Sequence, residues 1–145
     1  MMKDLTIEYQ YIKLEDRQFA TFEENFNEGA TIELTNEVNF SFDFDACVLI
    51  CSETVAYNQQ TMPILKLSVA SYFHINPESL KNITSEKGIL MSKGILCQFA
   101  SFNYGAMRGI MYEKTKNTSL NKLVLPPFYF NSIIKEDKLL SRNNS

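Results

Sequence analysis

The sequence predicts an α+β fold, in which a long helix and a short C-terminal helix pack on a four-stranded antiparallel sheet that runs as a meander with one crossover. Two patterns support this prediction. In the first half of the chain, apolar residues alternate with polar ones, as in strands that bury one face. From residue 84 onward, apolar residues recur every three to four positions, as in an amphipathic helix. Strands that precede helices, rather than alternating with them, are typical of α+β proteins.

The strands are predicted within residues 1–76. The clearest alternation runs over Asn39–Asp45, where three phenylalanines share one face and a serine and two aspartates share the other. A turn is expected at Asn58–Gln60, and Asn76–Pro77 ends the last strand because proline donates no hydrogen bond to a ladder. The four predicted strands are Tyr9–Glu15, Thr31–Thr35, Asn39–Cys51 and Ile64–Ile75.

The segment between the first two strands is aromatic and acidic. Phe19, Phe22 and Phe26 are spaced by three and four residues, and Gly29 follows them. This spacing fits a short helical turn, and it fits an aromatic crossover loop equally well. The pattern does not choose between the two.

A long helix is predicted over residues 84–117. Thr84 and Ser85 provide capping chemistry for its start, and lysines near its end suit the negative pole of the helix dipole. The helix is either interrupted at Gly94 or begins after it. The apolar residues of its broad predicted stripe are Ile89, Leu90, Ile95, Phe99, Phe102, Ala106, Met107, Ile110 and Met111.

Residues 118–140 are predicted to form a loop and a short helix. Pro126–Pro127 disfavours helix immediately before it. Two apolar pairs, Ile133–Ile134 and Leu139–Leu140, favour a short amphipathic helix, and residues 141–145 form a polar tail. A chain of 145 residues fits one domain over residues 1–145.

The composition argues against several functional classes. A net charge of −3 and a sequence pI of about 5.2 oppose nucleic-acid binding. The first residues lack the apolar core of a signal peptide, and no run approaches the roughly 18 apolar residues of a membrane span. We therefore expect a cytoplasmic protein that does not insert into membranes.

Residue types that carry catalysis or bind cofactors are sparse. The one histidine, His74, lies within a predicted strand. No HExxH or CxxC motif provides a metal site, and the five glycines form no phosphate-binding loop. Asp43 and Asp45 share one strand face. This arrangement is expected of a solvated polar face and does not require a catalytic pair of carboxylates. The sequence therefore predicts no enzymatic activity, no catalytic residue, no metal and no cofactor.

Aromatic residues and methionines are abundant. The chain has eleven Phe, seven Tyr and six Met, more than one sheet and a helix readily bury. Exposed apolar surface marks interaction sites, and Met and aromatic side chains adapt to varied partners. A core with an oligomer interface explains the same surplus. An enclosed pocket lined by Phe40, Phe42, Tyr72 and His74 would instead indicate a small-molecule-binding domain.

Three co-linear elements resemble the SecB family of export chaperones. Tyr72–Ile75 lies where the family's strand ends in an apolar-Phe-X-Ile element. Phe99–Arg108 is similar to the family's aromatic-rich helical segment, which leads to an arginine. Leu123–Ile134 is similar to its closing motif of proline and aromatic residues. The resemblance covers residues 57–134, and it extends to residues 9–56 in strand order only.

This resemblance implies an ATP-independent holdase that binds unfolded or precursor polypeptides, for protein export or, in some relatives, as the dedicated chaperone of an antitoxin. It also implies a homo-oligomer, in which protomers pair edge to edge and two dimers pack through their long helices. Family members hold clients in hydrophobic grooves. The residues of this chain at comparable positions, expected as client contacts, are Phe19, Phe22, Phe26, Phe40, Phe42, Phe128, Phe130, Ile133 and Ile134.

The family also docks the ATPase SecA, through acidic residues on the solvent face of the sheet. Asp16 matches one such position, so the resemblance implies that it binds this partner. Ala20 and Gln59 stand where the other carboxylates are expected, and the tail lacks the basic, apolar character of the family's ATPase-binding tail. These departures weaken the expectation of SecA binding more than that of a holdase.

Overall fold

The computed structural model describes residues 7–142, and within them the chain forms seven strands and one α-helix. The elements in chain order are β1 (Tyr9–Thr21), β2 (Glu33–Asp43), β3 (Val48–Gln59), β4 (Met62–Ile75), β5 (Thr84–Ser85), β6 (Gly88–Met91), α1 (Lys93–Thr115) and β7 (Lys138–Ser141). Short 3-10 turns occupy Glu23–Asn25, Pro77–Leu80, Ser119–Lys122 and Phe130–Ser132.

The first four strands form one antiparallel sheet in the order β1-β4-β3-β2. Strands β2, β3 and β4 are a meander, and β1 crosses over to pair with β4. This arrangement confirms the predicted sheet and its crossover. Within the described residues, β1 and β2 are the two edge strands of this sheet, and each pairs on one side only.

The hairpin between β2 and β3 corrects the sequence prediction, which ran one strand over Asn39–Cys51. The chain instead reverses between Asp43 and Val48. The Asp43 carboxylate accepts a hydrogen bond from the Ala46 N–H at 3.1 Å, and Cys47 takes a positive φ of 57°. An aspartate that bonds to the backbone ahead of it favours a turn. Residues 44–47, which make the reversal, include neither glycine nor proline. The sequence therefore gave no turn signal, and the alternating pattern was interpreted as one continuous strand.

The start of the helix is also corrected. Helix α1 begins at Lys93, where the Ser92 hydroxyl caps the Ile95 N–H at 3.4 Å. Residues 84–91, predicted as helix, form β5 and β6. Here Ile89 and Met91 are buried while Leu90 between them is 49% exposed, which is the alternation of a strand.

The C-terminal segment contains no α-helix within the described residues, so the predicted short helix over 133–140 is wrong. A 3-10 turn at Phe130–Ser132 is followed by β7, which pairs with β6 in a second sheet of order β5-β6-β7. Leu140 is buried and Leu139 is 43% exposed, so these residues alternate across a strand. Ser141 of the predicted polar tail belongs to β7, and residues 143–145 lie outside the described residues.

The core lies between α1 and the face of the main sheet that α1 covers. Phe73 of β4 stacks on Phe99 of α1, with ring centroids 4.3 Å apart. The buried stripe of α1 includes Leu96, Phe99, Asn103, Met107 and Met111. Phe99, Met107 and Met111 were predicted in this stripe, whereas Phe102, also predicted in it, is 40% exposed. Each buried leucine or phenylalanine stabilises the fold by roughly 1.5–3 kcal/mol.

Candidate functional site

An open groove runs along the edge strand β2. One wall is β2, and the other is the segment of residues 133–141, which includes β7. A cavity of about 310 Å³ at one end is lined by Val38, Phe40, Leu96, Ile133, Ile134 and residues 135–138. A cavity of about 270 Å³ at the other end is lined by residues 40–42 and 138–141. The two cavities share Phe40 and Lys138, and together they form what we call the β2 groove.

The sequence builds the β2 groove through strand alternation. Along β2 every second side chain turns toward the helix side of the sheet, which gives Val38, Phe40 and Phe42 to the groove. The opposite wall is tied to the start of α1, because the Lys93 N–H donates a hydrogen bond to the Asp137 carboxylate at 2.9 Å. An anionic side chain at a helix N-terminus is favourable.

Four predicted client contacts lie around the β2 groove. Phe42 is 5% exposed and Ile134 is 9% exposed, so both contribute mainly to its floor. Phe40 is half-buried, and Ile133 is 44% exposed at the surface of the groove. The structure therefore brings apolar residues from two distant parts of the sequence together at one groove.

Phe128 and Phe130 lie at a different place, beside α1. A cavity of about 230 Å³ is lined by Ser101, Tyr104, Gly105, Arg108, Pro127, Phe128 and Phe130. A second cavity, of about 280 Å³, is lined by Arg108, Gly109, Met111, Tyr112, Asn121 and residues 123–125. Because the cavities share Arg108, they form a second open groove between α1 and the proline segment. We call it the α1 groove.

Two tyrosines fix the proline segment beside α1. The Tyr104 hydroxyl donates to the Pro126 carbonyl at 2.6 Å, and the Tyr57 hydroxyl donates to the Val124 carbonyl at 2.9 Å. Burial raises the pKa of both phenols. The rings of Tyr104, Phe128 and Phe130 also pack on one another, with centroids 5.0–6.1 Å apart. The wall of the α1 groove is therefore held in place from the core.

The remaining three predicted client contacts lie near the end of β1, which contains Phe19, and in the crossover after it, which contains Phe22 and Phe26. Phe19 is half-buried and packs under the Lys114 ammonium, which lies 5.2 Å from its ring centroid. Phe22 is 36% exposed, and Phe26 packs partly buried on the core. None of the three lines the β2 groove or the α1 groove. The crossover contains both a short 3-10 turn and a loop, so each alternative left open by the sequence is met in part.

Sequence reasoning missed the residue that anchors this crossover. Gln59 is 4% exposed, and its amide accepts from the Asn27 N–H at 2.9 Å. The same amide donates to the carbonyls of Asn27 and Ala30 at 2.6 and 3.1 Å. Gln59 therefore holds the crossover from a buried position. The family resemblance had placed a surface carboxylate at this point of the chain.

Asp16 lies on the α1 side of the sheet, not on the solvent face where the resemblance placed it. Its carboxylate pairs with the Lys114 ammonium of α1 at 2.9 Å. Two irregularities in the pairing of β1 with β4, at Tyr11/Lys13 and Asp16/Gln18, interrupt the strict alternation. On the outer face of β1 the carboxylate is that of Glu15, whose pKa falls to about 2 because Arg17 and Tyr72 donate hydrogen bonds to it.

A buried polar chain connects the sheet to α1. Glu53 is 1% exposed, and its carboxylate accepts from the Asn103 amide at 2.9 Å. The Asn103 oxygen accepts from the Ser71 hydroxyl at 2.5 Å, and Ser71 bonds in turn to the Tyr11 hydroxyl. Burial raises the pKa of Glu53 to about 8. A glutamate at an inward position of β3, between Cys51 and Val55, was the sequence signal for this chain.

Among residues 7–142, no group of three or more His, Cys, Asp or Glu side chains lies close enough to hold a metal ion. No helix in the same range is both long enough and apolar enough to cross a bilayer.

No protein-family model matches the sequence, and no curated protein matches it. Solved structures do match the fold. A SecB-like chaperone of Mycobacterium tuberculosis, in complex with a ChAD peptide from the HigA1 antitoxin, is 14% identical with a TM-score of 0.57. The match covers 83% of this chain and 90% of that chain. This chain has a SecB-like fold. A protein of unknown function from Streptococcus agalactiae is also 14% identical, with 86% of this chain and 99% of that chain covered and a TM-score of 0.49.

Proposed function

We propose that this protein is an ATP-independent chaperone that holds unfolded or precursor polypeptides. The observation that carries the proposal is the β2 groove, an open groove with an apolar β2 wall on a SecB-like fold. The matching structure of that fold was solved with a peptide from an antitoxin. Apolar contact is non-directional, so such a surface accepts many sequences without reading any one of them.

The form of the grooves favours a polypeptide over a small ligand. Small-molecule sites enclose most of the ligand surface. The β2 groove is instead long and open, since two shallow cavities meet at Phe40 and Lys138. The enclosed aromatic pocket expected of a small-molecule-binding domain does not form either. Phe42 is buried on the α1 side of the sheet, while His74 is exposed on the other face.

Two client classes are compatible with this proposal. The antitoxin peptide bound by the matching structure favours a dedicated antitoxin chaperone as one of them. Export with SecA as partner is the other. It has less support, because Asp16 is paired with Lys114 on the α1 side of the sheet.

We propose further that the protein is a homo-oligomer. On the α1 side of edge strand β1, Tyr11 is 42% exposed and Leu14 is 47% exposed. Phe102 of α1 lies near them, since both Tyr9 and Phe73 contact its ring. A second protomer would cover this apolar surface and the open edge of β1 together, and several grooves on one assembly would gain avidity.

The experiment follows the aggregation of a chemically unfolded test protein as it is diluted into buffer with the purified protein. We expect suppression near stoichiometric amounts. Ile133→Asp places a charge on the exposed part of the β2 groove, and it should weaken suppression about tenfold. Met62→Asp is the matched control, because Met62 is 50% exposed at the β3–β4 turn, outside the groove.

Three results bear on the two proposals. The chaperone proposal fails if the wild type does not slow aggregation. It also fails if Ile133→Asp and Met62→Asp behave alike while both remain folded by circular dichroism. Light scattering tests the assembly separately, and a monomer at micromolar concentration would overturn the homo-oligomer.

A further inference from the structure

One polar residue interrupts the inward row of edge strand β2. The row comprises Leu34, Asn36, Val38, Phe40 and Phe42, and its four apolar members pack on the core. Both polar atoms of the Asn36 side chain, Oδ1 and Nδ2, are shielded from solvent, and neither has a hydrogen-bond partner among residues 7–142. An amide with an acceptor oxygen and two donor hydrogens is therefore left unsatisfied in an apolar row.

Folding alone does not explain this asparagine. A buried amide without a hydrogen bond costs stability, and an apolar side chain of the same shape avoids that cost. Leucine has the same branching as asparagine and matches the other members of the row. Polar groups that break the local rules of folding in this way tend to occur at functional sites.

A second unsatisfied group lies beside Asn36. Glu53 of β3 is 1% exposed and pairs with Val38, so it is the diagonal neighbour of Asn36 on the same face of the sheet. Its Oε2 accepts from the Asn103 amide, whereas its Oε1 has no partner within residues 7–142. The buried side-chain atoms without a partner in that range belong to Asn36 and Glu53, so they are confined to one place beside Val38.

This place adjoins the β2 groove. Val38 lines the larger cavity of the groove, and side chains two positions apart on a strand are separated by roughly 6.6 Å. Within residues 7–142, β2 has a neighbouring strand on one side only, and Asn36 as a residue is partly exposed although its amide is not. A change of side-chain rotamer can therefore turn the amide toward the groove. Because β1 is the opposite edge of the sheet, a protomer that covers β1 leaves Asn36 accessible.

We propose that Asn36 binds the main chain of a held polypeptide. Its Oδ1 accepts from the N–H of one client residue, and its Nδ2 donates to the carbonyl of the same residue. An extended chain directs these two groups to the same side, where they match the acceptor and the donor of the amide. This inference rests on the proposed function, because the occupant is a client segment in the β2 groove.

The rest of the groove favours the client main chain over a client side chain as the bound group. Every residue except proline offers one N–H and one C=O, whatever its side chain. The apolar contacts of Val38 and Phe40 are likewise indifferent to sequence. An amide that bonds to main-chain groups therefore adds affinity and fixes the position of the client without selecting its sequence.

Asn36→Leu separates this role from a structural one. Leucine removes the unsatisfied amide, so the urea midpoint of unfolding should rise, while affinity for a client should fall about fivefold. The probe is a fluorescent polar peptide that contains Phe-Ser-Leu, and anisotropy measures its binding. A lower urea midpoint would overturn the proposal, because the amide would then be paired within the fold. An unchanged peptide affinity would overturn it as well.

Asn39→Leu is the matched control. Asn39 lies on the same strand but on the opposite, exposed face. The substitution should leave peptide affinity at the wild-type level. An equal loss of affinity with Asn36→Leu and Asn39→Leu would contradict the assignment, since the effect would not depend on the face of β2.

N-methylated peptides test the bond itself. When each peptide N–H is methylated in turn, one position should weaken binding to the wild type but not to Asn36→Leu. Equal losses in the two proteins at every position would contradict a bond between Asn36 and the client main chain.

The two proposals fail separately. If the wild type suppresses aggregation and Ile133→Asp weakens that suppression, the chaperone proposal stands whatever Asn36→Leu shows. Failure of the Asn36 tests under those conditions overturns the main-chain contact alone. If the wild type holds no client, both proposals fall.

Discussion

The two grooves of this protein are built in different ways. The β2 groove lies between a sheet edge and a C-terminal wall, and residues 135–138 give that wall two cations and two anions. The α1 groove lies between a helix and a loop that two tyrosines fix to it, and it contains one charge. A surface with balanced charges and backbone edges is suited to sequence-tolerant binding. The α1 groove lies on the long helix, through which the family resemblance packs two dimers, so its expected occupant is a second protomer.

The largest effect should come from pH, because the helix that floors the α1 groove rests on a buried carboxyl. The pKa of Glu53 is about 8 in the folded chain, against an ordinary value of 4.5. Between these values the folded state keeps a proton that the unfolded state has lost. Stability from this group is therefore complete below about pH 4.5, falls as pH rises, and levels off above about pH 8.

Glu53→Gln removes this titration. We expect the wild-type free energy of unfolding to fall by several kcal/mol relative to the variant between pH 5 and pH 8.5. Urea unfolding at each pH measures it. The groups facing Glu53 are the Cys51 thiol, 4.0 Å away, and Asn103, with Tyr104 also acting electrostatically. Parallel pH profiles of wild type and variant would refute the role of this carboxyl.

Tyr104→Phe should release the wall of the α1 groove. The change leaves the Pro126 carbonyl without its hydrogen bond and should cost about 1–2 kcal/mol in urea unfolding. Suppression of aggregation should stay at the wild-type level, because Tyr104 does not line the β2 groove. A loss of suppression would mean that the two grooves are not independent.

Asp137→Ala makes the corresponding change in the β2 groove. It removes the acceptor for the Lys93 N–H at the start of α1, and it should cost about 1 kcal/mol. Here aggregation suppression should fall. Asp137→Asn, which retains an oxygen acceptor, is the control and should recover most of the stability. Unchanged suppression with Asp137→Ala, together with a loss with Tyr104→Phe, would exchange the roles of the grooves.

The smallest effect is a gain. Gly105→Ala should stabilise the chain by about 0.5–1 kcal/mol, because alanine is the better helix former and its Cβ meets open space. A higher thermal midpoint would show that the glycine is not needed for folding. A lower midpoint would show a local requirement for glycine that contacts do not reveal.

The main sheet was predictable because its signals are local. Alternation over Asn39–Asp45 and Ile64–Ile75 was enough to indicate antiparallel strands with one buried face. The hairpin at residues 44–47 was not predictable, since its turn depends on the Asp43 side chain and a positive φ at a cysteine. β6 and β7 were assigned to helices because each is only four residues long, too short for periodicity to separate the two structures.

The candidate sites were predictable only in part. Family resemblance named nine apolar client contacts, and the structure places four of them at the β2 groove and two at the α1 groove. Whether they bind clients stays a prediction. Asn36, Gln59 and Glu53 were not singled out for these roles, because their significance lies in tertiary neighbours that no sequence spacing encodes. Asp16 was misplaced because the irregularities of β1 change which side chains face outward.

Gly88 lies where the pairing of β6 with β7 leaves no room for a Cβ. It has a φ of 147°, and a Cβ there would lie 2.0 Å from the Leu140 carbonyl oxygen and 2.9 Å from its carbon. Any side chain at this position would drive β7 away from β6. Since β7 forms part of the far wall of the β2 groove, the groove would lose that wall although none of its own lining residues had changed. Mutational tolerance along the chain should therefore drop sharply at a residue that no bound polypeptide would ever touch.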